Sequence, residues 1–289
     1  MGNNKYVHTT DVHNTRAAME IVPVLIEWFH PKSVVDIGCG LGTWLYVFKS
    51  LGIKEILGIE GHHLNTDLLV IDRDEVILTD LEEELGIVRK FDLALSLEVA
   101  EHLSKASADC FIQSLTKLSD IIVFSAAIPG QGGQNHINEQ WIGYWQSQFI
   151  KHDFVFTDEI RPLFWNNEKI EWWYKQNMVI AIKKGTRSPF TEIKPPLDLV
   201  HPGLFEPRNA LINYLREIND TNNLMVSNLK KEIECFENEN KRLKIRLDKT
   251  ELELKTIYDS ITWKFIYRFV INPITKIRRM LKHIHFLPN

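Results

Sequence analysis

An α/β domain built on a seven-stranded parallel sheet, followed by a helical coiled coil, is the fold class this sequence predicts. Three observations predict it. Short β-branched and apolar runs alternate with helical intervals from residue 10 to about 184. A turn with glycines at every second position, Asp36-x-Gly38-x-Gly40-x-Gly42, follows the first of those runs. Beyond residue 207 the apolar period changes to a heptad.

The elements follow in order. Residues 10–29 read as a helix interrupted by Pro23. Five apolar runs come next, SVVDIG (33–38), EILGIE (55–60), EVILTD (75–80), FDLALSL (91–97) and IIVFSAA (121–127). Runs of this length between helices are the mark of a parallel sheet covered on both faces. A helix over 138–151 and strands near 155–163 and 177–184 complete the sheet. The stretch 185–207 holds five prolines and no clean period, so it reads as a linker. From there Leu215, Ile218, Asn222, Met225 and Leu229 follow 3–4 spacing. After one extra residue, Ile233, Phe236, Asn240, Leu243, Leu247, Thr250, Leu254 and Ile257 resume it. This predicts a coiled coil over 208–258, with two seam asparagines that favour a defined register. Residues 259–289 form a basic aromatic tail.

The glycine turn excludes one common reading. A dinucleotide turn wants G-x-G-x-x-G, with its third glycine one position later. The spacing here instead resembles motif I of class I S-adenosylmethionine-dependent methyltransferases, which have a Rossmann-like sheet. Later strand ends agree with that resemblance. Glu60 closes the second strand, twenty-four residues after Asp36, where a carboxylate can accept two ribose hydroxyls. Asp80 closes the third strand, where the superfamily contacts the adenine amino group. LEVAEHL (97–103) looks like the superfamily's E-V-x-E-H-h segment. The resemblance therefore implies S-adenosyl-L-methionine as cofactor, held by Asp36, Gly38, Cys39, Gly40, Gly42, Glu60, Gly61, Asp80, Leu81 and Leu97. Asp80 can equally cap the turn that follows it.

Transfer of a methyl group to an alcohol needs a base near the acceptor oxygen. His102, after the fourth strand, and His136, after the fifth, are the candidates. The loop IPGQGGQNHINEQW (128–141) gathers Gln134, Asn135, Asn138, Glu139 and Trp141 around His136. With Glu98 and Glu101 these form an expected acceptor pocket, polar and bordered by an aromatic ring. A divalent cation held by His136 or Glu139 stays open, although the spacing matches no metal motif. The aromatic cluster Phe164, Trp165, Trp172, Trp173 and Tyr174 reads either as core or as a wall on which sugar rings stack.

These segments and the C-terminal extension resemble methyltransferases found with bacterial surface-polysaccharide (O-antigen or capsule) biosynthesis enzymes. Such families often follow a coiled coil with an S-x-x-W segment, here Ser260 and Trp263. Pro273 comes later than the proline that commonly follows that tryptophan. The resemblance implies a sugar hydroxyl as acceptor, on a nucleotide sugar or a lipid-linked glycan. Methylation of an amine or a non-sugar small molecule is the alternative, and a non-catalytic scaffold is a third.

Charge and cysteines bound the rest. The tail carries six Lys/Arg against Asp259, about +5, which leaves about −9 on the remainder of a chain of net charge −4. An acidic catalytic domain argues against nucleic acid as partner. The basic tail suits a membrane surface or a membrane-bound glycan assembly complex. Three scattered cysteines offer no disulfide framework, and no eighteen-residue apolar stretch or secretory signal is present. Tyr6 stands where a myristoylation signal on Gly2 would want Ser or Thr. A cytoplasmic homo-oligomer is expected.

Overall fold

The computed structural model describes residues 6–9 and 12–284, with side chains to residue 281. Gly2, the first two residues of the expected helix at 10–29, and the last five residues of the tail lie outside the described residues. The chain forms two compact units, one ending at Ala210 and one beginning at Leu211.

The first unit is a seven-stranded, Rossmann-like α/β sheet with helices on both faces. Its strands are β1 (Ser33–Ile37), β2 (Glu55–Glu60), β3 (Val76–Leu78), β4 (Leu93–Leu97), β5 (Ile121–Ser125), β6 (Phe154–Thr157) and β7 (Val179–Lys183). They lie in the order β3-β2-β1-β4-β5-β7-β6. The order reverses between β1 and β4, so a crevice opens at their carboxyl ends. β1 and β4 are buried along their full length, which is why they read as unbroken apolar runs. The sheet is not wholly parallel. β7 runs between β5 and β6 and is antiparallel to both. A strand buried on both faces has the same apolar pattern in either direction, so the sequence carries no sign of its sense.

Helix α1 (Arg16–Phe29) runs through Pro23 without a break. The proline faces solvent, where water satisfies the carbonyl that its missing N–H leaves. α2 (Thr43–Ser50) follows the glycine turn, and α3 (Ala108–Leu118) crosses from β4 to β5. α4 (Ile142–Ile150) starts later than its period suggests. The N–H groups of Ile137 and Asn138 bond to the Glu101 carbonyl, and that of Gln140 to Ala127, which holds the preceding residues extended.

The expected strand 155–163 ends at Thr157 and gives way to α5 (Ile160–Phe164). Asp158 receives both Nε and Nη2 of buried Arg161 at 2.9 and 2.6 Å, an i,i+3 pairing that a helical turn makes and a strand cannot. α6 (Trp172–Asn177) leads into β7.

The proline-rich stretch after β7 is no free linker. Phe190 packs edge-on against Trp28 and Phe29, Lys194 N–H bonds to Thr157 Oγ1, and the Leu197 carbonyl accepts from Arg161. Pro202 then opens α7 (Pro202–Asp259), since a proline at the first helical position lacks only an N–H that would go unpaired anyway. Leu204 is buried.

The second unit is helical. α7 continues unbroken to Asp259, its seam residues exposed in the single chain. Ser260 ends it and caps α8 (Ile261–Ile266), its hydroxyl accepting from Trp263 N–H at 3.1 Å. A π-helical turn, Tyr267–Ile271, and α9 (Asn272–Ile284) follow. No helix among the described residues is long and apolar enough to cross a membrane.

Candidate active site

A cavity of about 530 Å³ lies in the crevice at the carboxyl ends of β1, β2 and β4. Its floor is the glycine turn. Gly38, Gly40 and Gly42 adopt φ of +79°, +54° and +79°, a region that penalises any side chain. A methyl group at Gly38 would stand 2.3 Å from a Val99 methyl carbon, and one at Gly40 would stand 2.6 Å from the His13 ring. Gly38, Cys39 and Gly40 line the cavity, while Gly42 caps α2 against Ile71 behind it.

Two carboxylates anchor this floor. Glu60, at the tip of β2, accepts Gly40 N–H at 2.7 Å through Oε2 and Gly61 N–H at 2.8 Å through Oε1. One lone pair on each oxygen stays available for a ligand. Gly61 thus supports Glu60 and is outside the lining. Burial lifts the Glu60 pKa against the pull of those two N–H groups. Asp36, at the end of β1 and 2% exposed, is pushed up to about 8, first by burial and then by the Glu60 charge. Burial also pushes the Cys39 thiol well up, so the cavity holds it as an inert thiol. Leu81 and Leu97 supply apolar wall. Asp80 is exposed and outside the lining, its Oδ1 accepting Glu82 N–H at 2.9 Å.

The opposite wall comes from the end of β4 and the loop after β5. Glu98 takes φ +56°, strained for a residue with a side chain. Its carboxylate is fixed by Gln131 Nε2 at 2.8 Å and Asn177 Nδ2 at 3.0 Å. Gln176 links Asn177 to Gln131 and accepts the His201 N–H. Glu101 is fully buried, and neither of its oxygens has a partner in hydrogen-bond geometry. The N–H groups of Glu101 and Ala127 and the Glu98 carboxyl lie near it without aligning; burial and the Glu98 charge push its pKa well up.

His102 meets His136 edge-on, ring centres 4.8 Å apart, and Tyr6 at 4.9 Å. Burial, followed by His136, lowers the His102 pKa to about 4, so its ring is neutral. His136 lies behind His102, its Nδ1 3.0 Å from Glu139 Oε1. Glu139 in turn accepts the N–H groups of Gly130 and Gly132 at 2.7 and 2.6 Å and shapes the loop. Asn135 lines the cavity in a left-handed conformation. Gln134 is exposed, Asn138 is buried with its Oδ1 on Gln140, and Trp141 stands outside the cavity at the start of α4.

The structure adds residues that sequence patterning missed. Tyr6, His8, His13 and Asn14, just before α1, line the cavity, as does His63 after β2. His8 stacks on His63 at 5.5 Å and lies 3.9 Å from Glu60; burial and the neighbouring imidazoles lower its pKa to about 4. The crowding of Tyr and His in YVHTTDVH (6–13) was the available signal. Of the aromatic cluster, Trp173 and Tyr174 reach the cavity, Tyr174 edge-on to Trp44, while Phe164 joins the core and Trp165 packs on His201.

No family model matches the chain. Ribosomal protein L11 methyltransferase of Agathobacter rectalis is 28% identical over 96 residues, 33% of this chain and 28% of that protein. The chain thus spans under a third of the curated relative it matches. Among solved structures, the methyltransferase domain of bacterial CtHen1-C is 17% identical with a TM-score of 0.43, over 58% of this chain and 97% of that one. A putative O-methyltransferase of Nostoc punctiforme PCC 73102 gives 15% and 0.44, over 58% and 56%. Magnesium protoporphyrin IX methyltransferase of Synechocystis PCC 6803 with bound SAH gives 14% and 0.42, over 63% and 90%.

Proposed function

We propose that this protein is an S-adenosylmethionine-dependent methyltransferase that methylates a sugar hydroxyl, on a nucleotide sugar or lipid-linked glycan, in cell-surface glycan biosynthesis. The observation that carries the reading is the pairing of Glu60 with the glycine turn: a buried carboxylate that locks Gly40 and keeps acceptor capacity toward a cavity of about 530 Å³. The cofactor supplies an electrophilic methyl on a sulfonium. Glu60 offers acceptors to a ribose diol, Asp36 offers a carboxylate to a ligand cation, and Leu81 and Leu97 give apolar contact. On the facing wall, Glu98 held by two amides, His102 and Asn135 present donors and acceptors at close spacing, which suits a hydroxyl-rich acceptor. Trp173 and Tyr174 supply the apolar faces that sugar rings pack on.

The test is calorimetry with S-adenosylhomocysteine, followed by incubation of the full chain with methyl-labelled cofactor and a panel of nucleotide sugars and glycan extracts. Label is expected on a sugar oxygen. Label on an amine would replace the acceptor assignment, and no heat with S-adenosylhomocysteine would overturn the cofactor assignment.

The C-terminal segment brings the enzyme to an anionic membrane surface. Lys264, Arg268, Lys276, Arg278 and Arg279 are interleaved with exposed Phe265, Phe269, Ile274, Ile277, Met280 and Leu281 on short helices. Flotation with anionic vesicles should retain the full chain and lose a chain ending at Tyr258; equal flotation refutes the role.

A further inference from the structure

We propose that Glu101, His102 and His136 form a binding site for one first-row divalent cation, which holds the acceptor hydroxyl in this enzyme. One oxygen of Glu101 and one nitrogen of each ring lie within 4.8 Å of one another. Small side-chain rotations bring such donors to the spacing of about 3–4 Å that metal bonds near 2.1 Å require.

Three independent observations point to a cation. Glu101 is a fully buried carboxylate with no partner in hydrogen-bond geometry on either oxygen, although the N–H groups of Glu101 and Ala127 and the Glu98 carboxyl lie near, and proteins rarely leave such a group without an ion or water. The Nδ1 atom of His102 is likewise buried and unpartnered. The Glu139 carboxylate braces His136 at 3.0 Å and is itself fixed by two backbone N–H groups, the outer support that ligating histidines have. Two imidazoles and one carboxylate select a Zn²⁺- or Mn²⁺-like ion over Mg²⁺ or Ca²⁺, which favour all-oxygen sets.

A second triad, His8, Glu60 and His63, has comparable spacing. It is the weaker site, because both Glu60 oxygens already hold backbone N–H groups and His63 is exposed.

The inference rests on the methyl-transfer reading and assigns the acceptor side. Three protein ligands leave positions open, enough for two adjacent sugar hydroxyls. The acceptor hydroxyl, drawn to the cation, releases its proton to solvent water. Its oxygen then forms a bond to the sulfonium methyl, the methyl–sulfur bond breaks, and the electron pair stays on sulfur as a neutral thioether. No further co-reactant is needed.

The test uses the full chain, stripped with EDTA. Equilibrium dialysis should load one equivalent of Mn²⁺ or Zn²⁺, and Co²⁺ should give a visible d–d spectrum perturbed by added glycan. Glu101→Gln should weaken Mn²⁺ binding at least about 100-fold, and Glu139→Gln about 10–100-fold. Calorimetry of S-adenosylhomocysteine should be unchanged in Glu101→Gln, which separates this site from the cofactor assignment. Wild-type chain that loads no ion overturns the site. So does Glu101→Gln that loads as well as wild type, or loading lost in His63→Ala and kept in Glu101→Gln.

A different observation carries a second inference. We infer that residues 211–258 pair with the same segment of a second copy, parallel and in register. With Ile233, Asn240, Leu247 and Leu254 at the a positions, Glu239 falls at g and faces Lys244 at e of the second copy. Arg246 likewise faces Glu251 of the second copy. Asn222 and Asn240 also occupy a positions, where each meets its own copy only in this arrangement. The step from Leu229 to Ile233 is a stutter that locally unwinds the pair.

Light scattering should give a dimer, and Leu243→Asp a monomer. In a Cys235→Ser background, Asn240→Cys should crosslink on oxidation. Glu239→Lys should weaken pairing and Lys244→Glu restore it. A monomeric wild type, or a dimer in which Asn240→Cys does not crosslink, overturns the arrangement.

Discussion

Asp36 is the residue at which folding and ligand binding oppose each other, and Asp36→Asn separates the two. In the folded chain its carboxyl keeps a proton to about pH 8, with burial the main cause and Glu60 the second. In the unfolded chain it ionises near about pH 3.9. Between those values the folded state holds a proton the unfolded state lacks, so stability from this group is full below about pH 4 and falls as pH rises. The slope is about 1.4 kcal/mol per unit, and by pH 7.5 the loss reaches about 5 kcal/mol as an upper bound. Relaxation of the site returns part of it, which leaves about 2–4 kcal/mol. Asparagine has the same shape and no charge to bury. Asp36→Asn should therefore be more stable than wild type by that amount at pH 7.5, and by under about 1 kcal/mol at pH 4.5. Its affinity for S-adenosylhomocysteine should fall about 10- to 150-fold, the worth of a hydrogen bond to a charged group. Urea unfolding at the two pH values and calorimetry at pH 7.5 read both effects. A variant no more stable at pH 7.5, or one that binds as tightly as wild type, refutes the reasoning.

Further outcomes follow from the same cavity. Gly40→Ala must hold φ +54° and displace the His13 ring, and should lose about 1–2 kcal/mol in thermal unfolding together with cofactor affinity. Glu60→Ala leaves the Gly40 and Gly61 N–H groups without acceptors, at about 1–3 kcal/mol each, and should abolish detectable heat with S-adenosylhomocysteine. Glu98→Gln replaces one of two acceptor oxygens by a donor facing the Gln131 or Asn177 amide, and should cost about 1–3 kcal/mol. Binding of S-adenosylmethionine at pH 7 should release more protons than binding of S-adenosylhomocysteine, measured by calorimetry in two buffers of different ionisation heat. The sulfonium charge favours ionised Asp36, whereas the thioether does not.

The central sheet was legible because β1 and β4 are buried on both faces and their apolar runs end at chemistry-bearing residues, Asp36 and Glu98. The sense of β7 was not, since no periodicity encodes direction. The stretch 185–207 misled for a related reason. Prolines remove local period, yet Phe190 and Leu204 still find apolar surface and Arg161 still finds the Leu197 carbonyl, none of which is a local property. In the cavity, glycine spacing and strand-end acids were visible one segment at a time. The assembly of the imidazole cluster was not legible, because His8, His13, His63, His102 and His136 come from four separate parts of the chain. Topology alone gathers them, and Glu101, expected from the sequence in the acceptor pocket, is a fully buried carboxylate within 4.8 Å of two of them.

The sign of the cavity sets what can enter it. Asp36, Glu60, Glu98 and Glu101 all have pKa values raised with burial as the leading cause, so each resists ionising until a positive charge arrives. His8 and His102, lowered to about 4, contribute no positive charge at neutral pH. Without the proposed cation, a phosphate carried into this cavity would meet the carboxyls of Asp36, Glu60 and Glu98 and, among the described lining residues, no lysine or arginine, and would shift those carboxyls further from ionisation. A sulfonium or a divalent cation does the reverse. On the proposed function, the acceptor is therefore expected to enter by its uncharged sugar ring while the cation site is empty.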